Sequence, residues 1–245
     1  MSNRWTKRGR GMAKHAGRLL LDTLLPPVCP GCSEELLPHR WICGACRRAF
    51  RPVVSSRICF ACRSVDRPGG DREAGFTCTV TDHRSAWGAA AFWMEEPLDA
   101  VVHAFKYGGR DDLARPLGRL LSERIETPRA DLVVPVPLHR TRRRERGYNQ
   151  AGLLARVAAP ERCAPSVEGL LVRNRATRAQ ARLAEEDREA NVTGAFSVRE
   201  PTWVAGRIII LLDDVATTGS TLLAAASELE AAGADRVIPV VVALA

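Results

Sequence analysis

The chain has 245 residues, 46% of them apolar, which suffices for one medium α/β domain plus a small extra module. The net charge is +8, and Lys7, Lys14 and Lys106 are the only lysines, so the positive charge is almost all arginine. Planar guanidinium groups fork onto paired phosphate oxygens, and any basic protein also draws nucleic acid non-specifically; no run reaches the roughly 18 to 20 apolar residues that a membrane-spanning helix needs.

The text divides into three zones: residues 1–27, 28–84 and 85–245. The first is a basic tail carrying Arg4, Lys7, Arg8, Arg10, Lys14 and Arg18 with no acid among them, then a short apolar stretch. Asp22 interrupts that stretch and Pro26 and Pro27 end it, and no small-residue cleavage site follows. It reads as a short amphipathic helix rather than an export signal, so the expected location is the cytoplasm, with DNA or an inner membrane surface as contacts for the tail.

The second zone is rich in turn formers and cysteine. Seven of the eight cysteines fall between Cys29 and Cys78, and without an export signal such density argues for metal rather than disulfides. Cys29-x2-Cys32-x10-Cys43-x2-Cys46 has the spacing of a zinc ribbon, in which two knuckles offer four thiolates to one ion. Cys59-x2-Cys62 begins a second such site. Its other half is incomplete: Cys78 lacks a partner three residues on, and His83 is the nearest candidate for a fourth ligand. Cys163, in a proline-flanked loop, reads as a free thiol. A segment of this composition cannot bury a core alone and needs a metal staple.

From residue 85 onward apolar runs alternate with helical patterns, the signature of βαβ units and a mostly parallel sheet. The expected elements are a strand over 86–94, helices over 98–107 and 112–125, and a buried strand over 131–137 running into an arginine-rich turn. A helix over 149–158, a strand over 170–173 and a mobile loop over 174–190 follow. A strand over 207–212, a helix over 220–232 and a last strand over 237–243 complete the series.

The densest chemistry lies at 209–221. A buried strand delivers Asp213 and Asp214 at its carboxyl end, where open α/β sheets bind ligands. Ala216, Thr217, Thr218, Gly219, Ser220 and Thr221 then form a short hydroxyl-rich loop that opens a helix, whose amides make an anion cradle. Adjacent carboxylates repel phosphate, so they suit hydroxyl groups or a metal. A ligand with both a phosphate and a diol meets both demands. A Walker B acid pair would need a Gly-rich lysine loop, which the chain lacks. The second strand ends in Val136, Pro137, Leu138, His139 and Arg140, and residues 140–146 hold five arginines and one glutamate. Such a cluster is either a solvated basic turn, a nucleic-acid patch or the seat of a concentrated anion.

The run IILLDDVATTGST resembles the signature for 5-phosphoribosyl-1-diphosphate (PRPP) of type I phosphoribosyltransferases, with Ala216 where a larger aliphatic is usual. The resemblance implies that Asp213 and Asp214 serve the ribose hydroxyls and catalysis, and that residues 216–221 hold the 5-phosphate. Four further stretches agree with one family: VPVPLHRTRRRERGYNQA, HAFKYGGRDDLARPLG, LVRNRATRAQARL and REANVTGAF. With the cysteine module they resemble the ComF family of competence-associated phosphoribosyltransferase-like proteins. The implied fold is a type I phosphoribosyltransferase-like parallel sheet flanked by helices, preceded by a small zinc-ribbon module. The resemblance places diphosphate on Val136 to Arg140, in a loop that often holds a strained non-proline cis peptide. Mg²⁺ would accompany PRPP, and a lid would carry Arg175, Arg178, Gln180 and Arg182. It implies either a transferase whose acceptor no residue discloses, or a non-catalytic PRPP sensor that handles single-stranded DNA beside competence or DNA-uptake proteins.

Overall fold

The structure is a computed structural model, and it describes residues 27–53, 58–61, 87–126, 129–161, 164–175 and 194–245. In chain order its elements are α1 (Gly44–Ala49), β1 (Ile58–Cys59), β2 (Trp87–Trp93), α2 (Leu98–Tyr107), α3 (Ala114–Arg124), β3 (Leu132–Pro135), α4 (Arg140–Arg146) and α5 (Gln150–Glu161). Then come β4 (Leu171–Arg173), β5 (Phe196–Val198), β6 (Ile208–Ala216), α6 (Ser220–Ala231) and β7 (Arg236–Leu244).

Five strands form one sheet in the order β1-β2-β7-β6-β3. The pairs β2–β7, β7–β6 and β6–β3 are parallel, and β1 alone is antiparallel, on β2. Strands covered on both faces need apolar residues on both, which is why 209–212 and 237–244 are unbroken apolar text. Ile210, Leu212, Ile238, Val240 and Val242 point to the layer of α2, α3 and α5, where Leu98, Phe105, Leu117, Leu121 and Leu154 are buried. Ile209, Leu211, Val237 and Val241 point to the other layer, against Leu222 and Leu229 of α6 and Leu171 and Phe196 of a separate two-stranded sheet, β4–β5.

The cysteine-rich segment does not stand apart. Cys29, Ile42, Cys46 and Phe50 join the same cluster as Leu98 and Phe92, and Phe50 meets Phe92 edge-on at 5.5 Å. The chain leaving the segment runs antiparallel along β2: Trp93 N donates to Arg51 O, Val53 N donates to Ala91 O, and Cys59 lies opposite Trp87. The module therefore covers the outer edge of β2, which would otherwise present unpaired backbone groups.

Four differences from the sequence expectations have physical causes. The arginine-rich turn is a helix, α4, with no buried residue; its N-cap His139 accepts from Thr141 N through Nδ1 at 3.3 Å. Arginine favours helix, but a helix with no buried residue leaves no apolar period to read. The helix expected from residue 112 begins with a 3₁₀ turn at Asp111–Leu113 before α3. Strand β6 does not stop at Leu212 but carries the acid pair in register with β7 as far as Ala216. Strand β5 was not expected; it pairs antiparallel with β4, three residues each.

Candidate functional site

The site is built on the carboxyl ends of β6 and β3. Asp214 is 7% exposed and Asp213 is half-buried, and alternation along the strand sends them to opposite faces of the sheet. Asp213 Oδ1 accepts a hydrogen bond from Asp214 N at 2.8 Å. Burial, and after it the neighbouring Asp214 charge, pushes the Asp213 carboxyl up to about 7; the Asp214 amide, Lys106 and Arg173 pull the other way. Beyond the pair, Thr217 is exposed, Thr218 Oγ1 lies 2.9 Å from Ser220 Oγ, and Gly219 is the N-cap of α6 in the left-handed region, φ 79°. The N-cap glycine has no side chain to cap this helix, and the helix start faces the loop as an anion-binding N-terminus would. Gly219 is also needed for space: a Cβ there would lie 2.2 Å from the carbonyl oxygen of Phe60, just beyond β1.

The facing loop follows β3. Val136 is buried, donates its N–H to Leu212 O at 2.9 Å and accepts from the buried Asn149 Nδ2 at 3.1 Å. Pro137, Leu138 and His139 are half-buried, and Arg140 is exposed at the start of α4. The cis peptide that the resemblance implied is absent from 135–140; among the described residues the cis bond is Glu96–Pro97. The arginines divide their roles. Arg143 pairs with Glu168 at 3.4 Å, and Arg146 binds Gln150 Oε1 at 3.2 Å and Tyr107 Oη at 3.0 Å, lying over the tyrosine ring.

Two basic residues that the sequence reading did not assign to the site complete it. Lys106, near the end of α2, places Nζ 3.4 Å from Asp214 Oδ2. Arg173, the last residue of β4, is buried, stacks over Phe196 at 5.3 Å and shares the field of Arg142 and Asp213. Burial, and then the Arg142 charge, hold its guanidinium below its ordinary range, against the pull of Asp213. The usable signal was composition: Lys106 is the sole lysine after residue 14. Of the expected lid, Arg175 is exposed just beyond β4, and Asn174 N donates to Ala195 O across its base. Arg178, Gln180 and Arg182 lie outside the described residues.

The first cysteine quartet comes together as its spacing predicts. The sulfurs of Cys29, Cys32, Cys43 and Cys46 all lie within 4.8 Å of one another, and those of Cys32 and Cys43 are 3.6 Å apart. A tetrahedral zinc with bonds of about 2.3 Å sets sulfurs about 3.8 Å apart, so the quartet fits that ion. Backbone N–H groups of Cys43 and Cys46 point at the sulfurs of Cys29 and Cys43 at 3.4 and 3.3 Å, the donor pattern of a zinc knuckle. Cys59 is buried in β1, whereas Cys62, Cys78, His83 and Cys163 lie outside the described residues.

A cysteine ribbon joined to a parallel sheet with an acid pair and anion loop defines a zinc-binding protein with a phosphoribosyltransferase fold. Two family descriptions match accordingly: a double zinc ribbon domain over residues 20–78 and a phosphoribosyl transferase domain over residues 144–245. The chain is 30% identical over 213 residues to DNA utilization protein YhgH of Salmonella typhimurium, covering 81% of this chain and 88% of that one. It is 34% identical over 137 residues to competence protein F of Haemophilus influenzae, covering 52% of this chain. There it spans only 59% of the relative's length. The chain belongs to the ComF family, to which these relatives also belong. A solved glutamine PRPP amidotransferase from B. subtilis, complexed with ADP and GMP, is 22% identical over 57% of the chain with a TM-score of 0.40, a likeness too loose to argue from. Among the described residues no helix is long and apolar enough to cross a membrane.

Proposed function

We propose that this chain binds PRPP together with Mg²⁺ and acts as a phosphoribosyltransferase or PRPP-cleaving enzyme in the cytoplasm, in the handling of incoming DNA. The observation that carries the reading is the juxtaposition of an acid pair and a glycine-started helix N-terminus within one strand-loop-helix unit. Asp213 and Asp214 accept the ribose hydroxyls, the amides and hydroxyls of 216–221 hold the 5-phosphate, and residues 136–140 receive the diphosphate. Mg²⁺ bound with the substrate beside Asp213 and Asp214 would supply positive charge against the leaving diphosphate. In the reaction the bond from C1 to the diphosphate oxygen breaks and its electron pair leaves on diphosphate. Arg140 and Arg173 favour the charge that develops there. An acceptor with a free electron pair, or water, then bonds to C1 and loses its proton.

Calorimetry tests the reading. The double variant Asp213→Asn with Asp214→Asn keeps its size and removes the acceptors, so a folded protein should lose PRPP binding; unchanged affinity refutes the assignment. Assaying diphosphate release from PRPP and Mg²⁺ over a panel of bases and amines tests turnover.

A second reading, that the protein is a non-catalytic PRPP-sensing accessory which holds single-stranded DNA, is favoured by one feature. A groove of about 1180 Å³ between the cysteine knuckles and α3 presents Arg40, Arg47, Arg110, Arg115 and Arg119 beside Trp41, with Asp111, Asp112 and Glu123 on the same walls. Cations interleaved with an aromatic suit a single strand. Here PRPP should not displace DNA in a gel shift, because groove and pocket are separate; competition by PRPP would place DNA on the 140–146 arginines instead.

A further inference from the structure

We propose that Lys106 is a further ligand-binding residue of the pocket: its ammonium pairs with Asp214 in the free protein and transfers to the diphosphate when the acid pair takes up the ribose hydroxyls. The inference rests on the PRPP reading and adds to it a cation that neither loop contains.

Three observations carry it. The first is position. The residues flanking Lys106 are tied to the segment that follows the diphosphate loop: Arg146 donates to Tyr107 Oη at 3.0 Å, and Tyr148 Oη and Gln150 Nε2 both donate to Phe105 O. The neighbouring Asn149 holds Val136 O of that loop. The backbone of Lys106 thus stands on the diphosphate side while its side chain reaches across to β6.

The second is the quality of the ion pair. The two side chains are 20% and 10% exposed, and Asp214 Oδ2 is buried without a hydrogen-bond donor. At 3.4 Å the ammonium lies outside the 2.7–2.9 Å typical of a charge-assisted hydrogen bond. Asp214 is therefore compensated in charge but not in hydrogen bonding, and a ribose hydroxyl supplies what the lysine does not.

The third is charge balance. Two acids, Asp213 and Asp214, stand among two bases, Lys106 and Arg173. Ribose hydroxyls donating to Asp214 disperse its charge and weaken its hold on the ammonium, which a nearby, more concentrated anion can then draw away. A phosphorylated ligand brings one to the side from which Lys106 comes. The flexible four-carbon stem and compact charge of lysine permit that transfer.

The test compares two ligands that share the ribose and 5-phosphate and differ in the diphosphate. In calorimetry on the full zinc-loaded chain, Lys106→Met should weaken PRPP with Mg²⁺ by roughly tenfold, the loss of one charged hydrogen bond. Ribose 5-phosphate should bind Lys106→Met as well as or better than the wild type, because no ion pair has to break. Parallel weakening of both ligands marks a merely structural lysine and overturns the proposal, as does unchanged PRPP affinity. Wild-type protein that binds neither ligand is a different failure, that of the PRPP reading itself. Amine labelling of the wild type gives a readout independent of any variant, with Lys7 and Lys14 as internal references. Ribose 5-phosphate should speed labelling of Lys106 and PRPP should slow it; equal effects of the two ligands overturn the transfer.

Discussion

Gly219→Ala isolates the contact between the two parts of the molecule. The left-handed backbone at φ 79° costs a residue with a Cβ about 1 to 2 kcal/mol. The new methyl would lie 2.2 Å from Phe60 O, far inside van der Waals contact. Phe60 is 1% exposed and packed against the sheet, so it cannot withdraw freely; overpacking of this kind costs about 1 to 3 kcal/mol more. The sum is about 2 to 5 kcal/mol, and at about 2 to 4 °C per kcal/mol for a chain of this size the melting temperature should fall by roughly 4 to 20 °C. Gly233→Ala is the control. Its φ is also positive, at 95°, but its Cβ would meet only Ala205, at an ordinary 3.5 Å. Circular-dichroism melts of both variants separate backbone strain from collision. If Gly219→Ala melts within 2 °C of Gly233→Ala, Phe60 does not rest on the loop as described and the argument fails.

Three more outcomes are expected. Asp213 sits near 7 in the folded chain against an ordinary 3.8, so the folded state holds the extra proton and its stability falls as pH rises through that window. Asp213→Asn should therefore gain melting temperature relative to the wild type as pH rises from 5 to 8, and a constant difference would contradict the cost of burying this charge beside Asp214. Cys43→Ser should cost the protein one zinc by elemental analysis and loosen residues 27–50 to proteolysis; full zinc content would remove the quartet as a site. Phe50→Ala deletes a buried ring, 5% exposed, that joins the knuckles to β2. It should destabilise by about 3 to 5 kcal/mol in denaturant titration; less than about 1 would mean the module is not part of the core.

What was legible in the sequence was contiguous. The quartet sulfurs meet because two short turns set their spacing. The acid pair and its loop follow one another along a single strand-loop-helix unit, so their order in the chain is their order in space. Helix α2 was readable to its ends because one face is buried and Gly108 follows it. What escaped depends on partners distant in sequence. Lys106 joins the site only because β6 brings Asp214 to the end of α2. The docking of residues 51–53 and of β1 on β2 has no periodic mark, since two-residue β1 is too short to alternate. The helix α4 was hidden by having no apolar face at all.

The strand order has a kinetic consequence. β7 follows every other described element in the chain, yet it lies between β2 and β6, bonded to both. Until it inserts, β2 has only its short antiparallel neighbour and β6 only β3. Joining them closes a loop from residue 93 to residue 236, and such long-range parallel pairing is slow to form. The half-sheets must wait with apolar faces and strand edges uncovered, which makes this interval the one in which the chain is most exposed to aggregation. The cation-rich surface, at net charge +8, then acts on the folding chain as much as on any ligand, keeping copies apart until the central strand is in place.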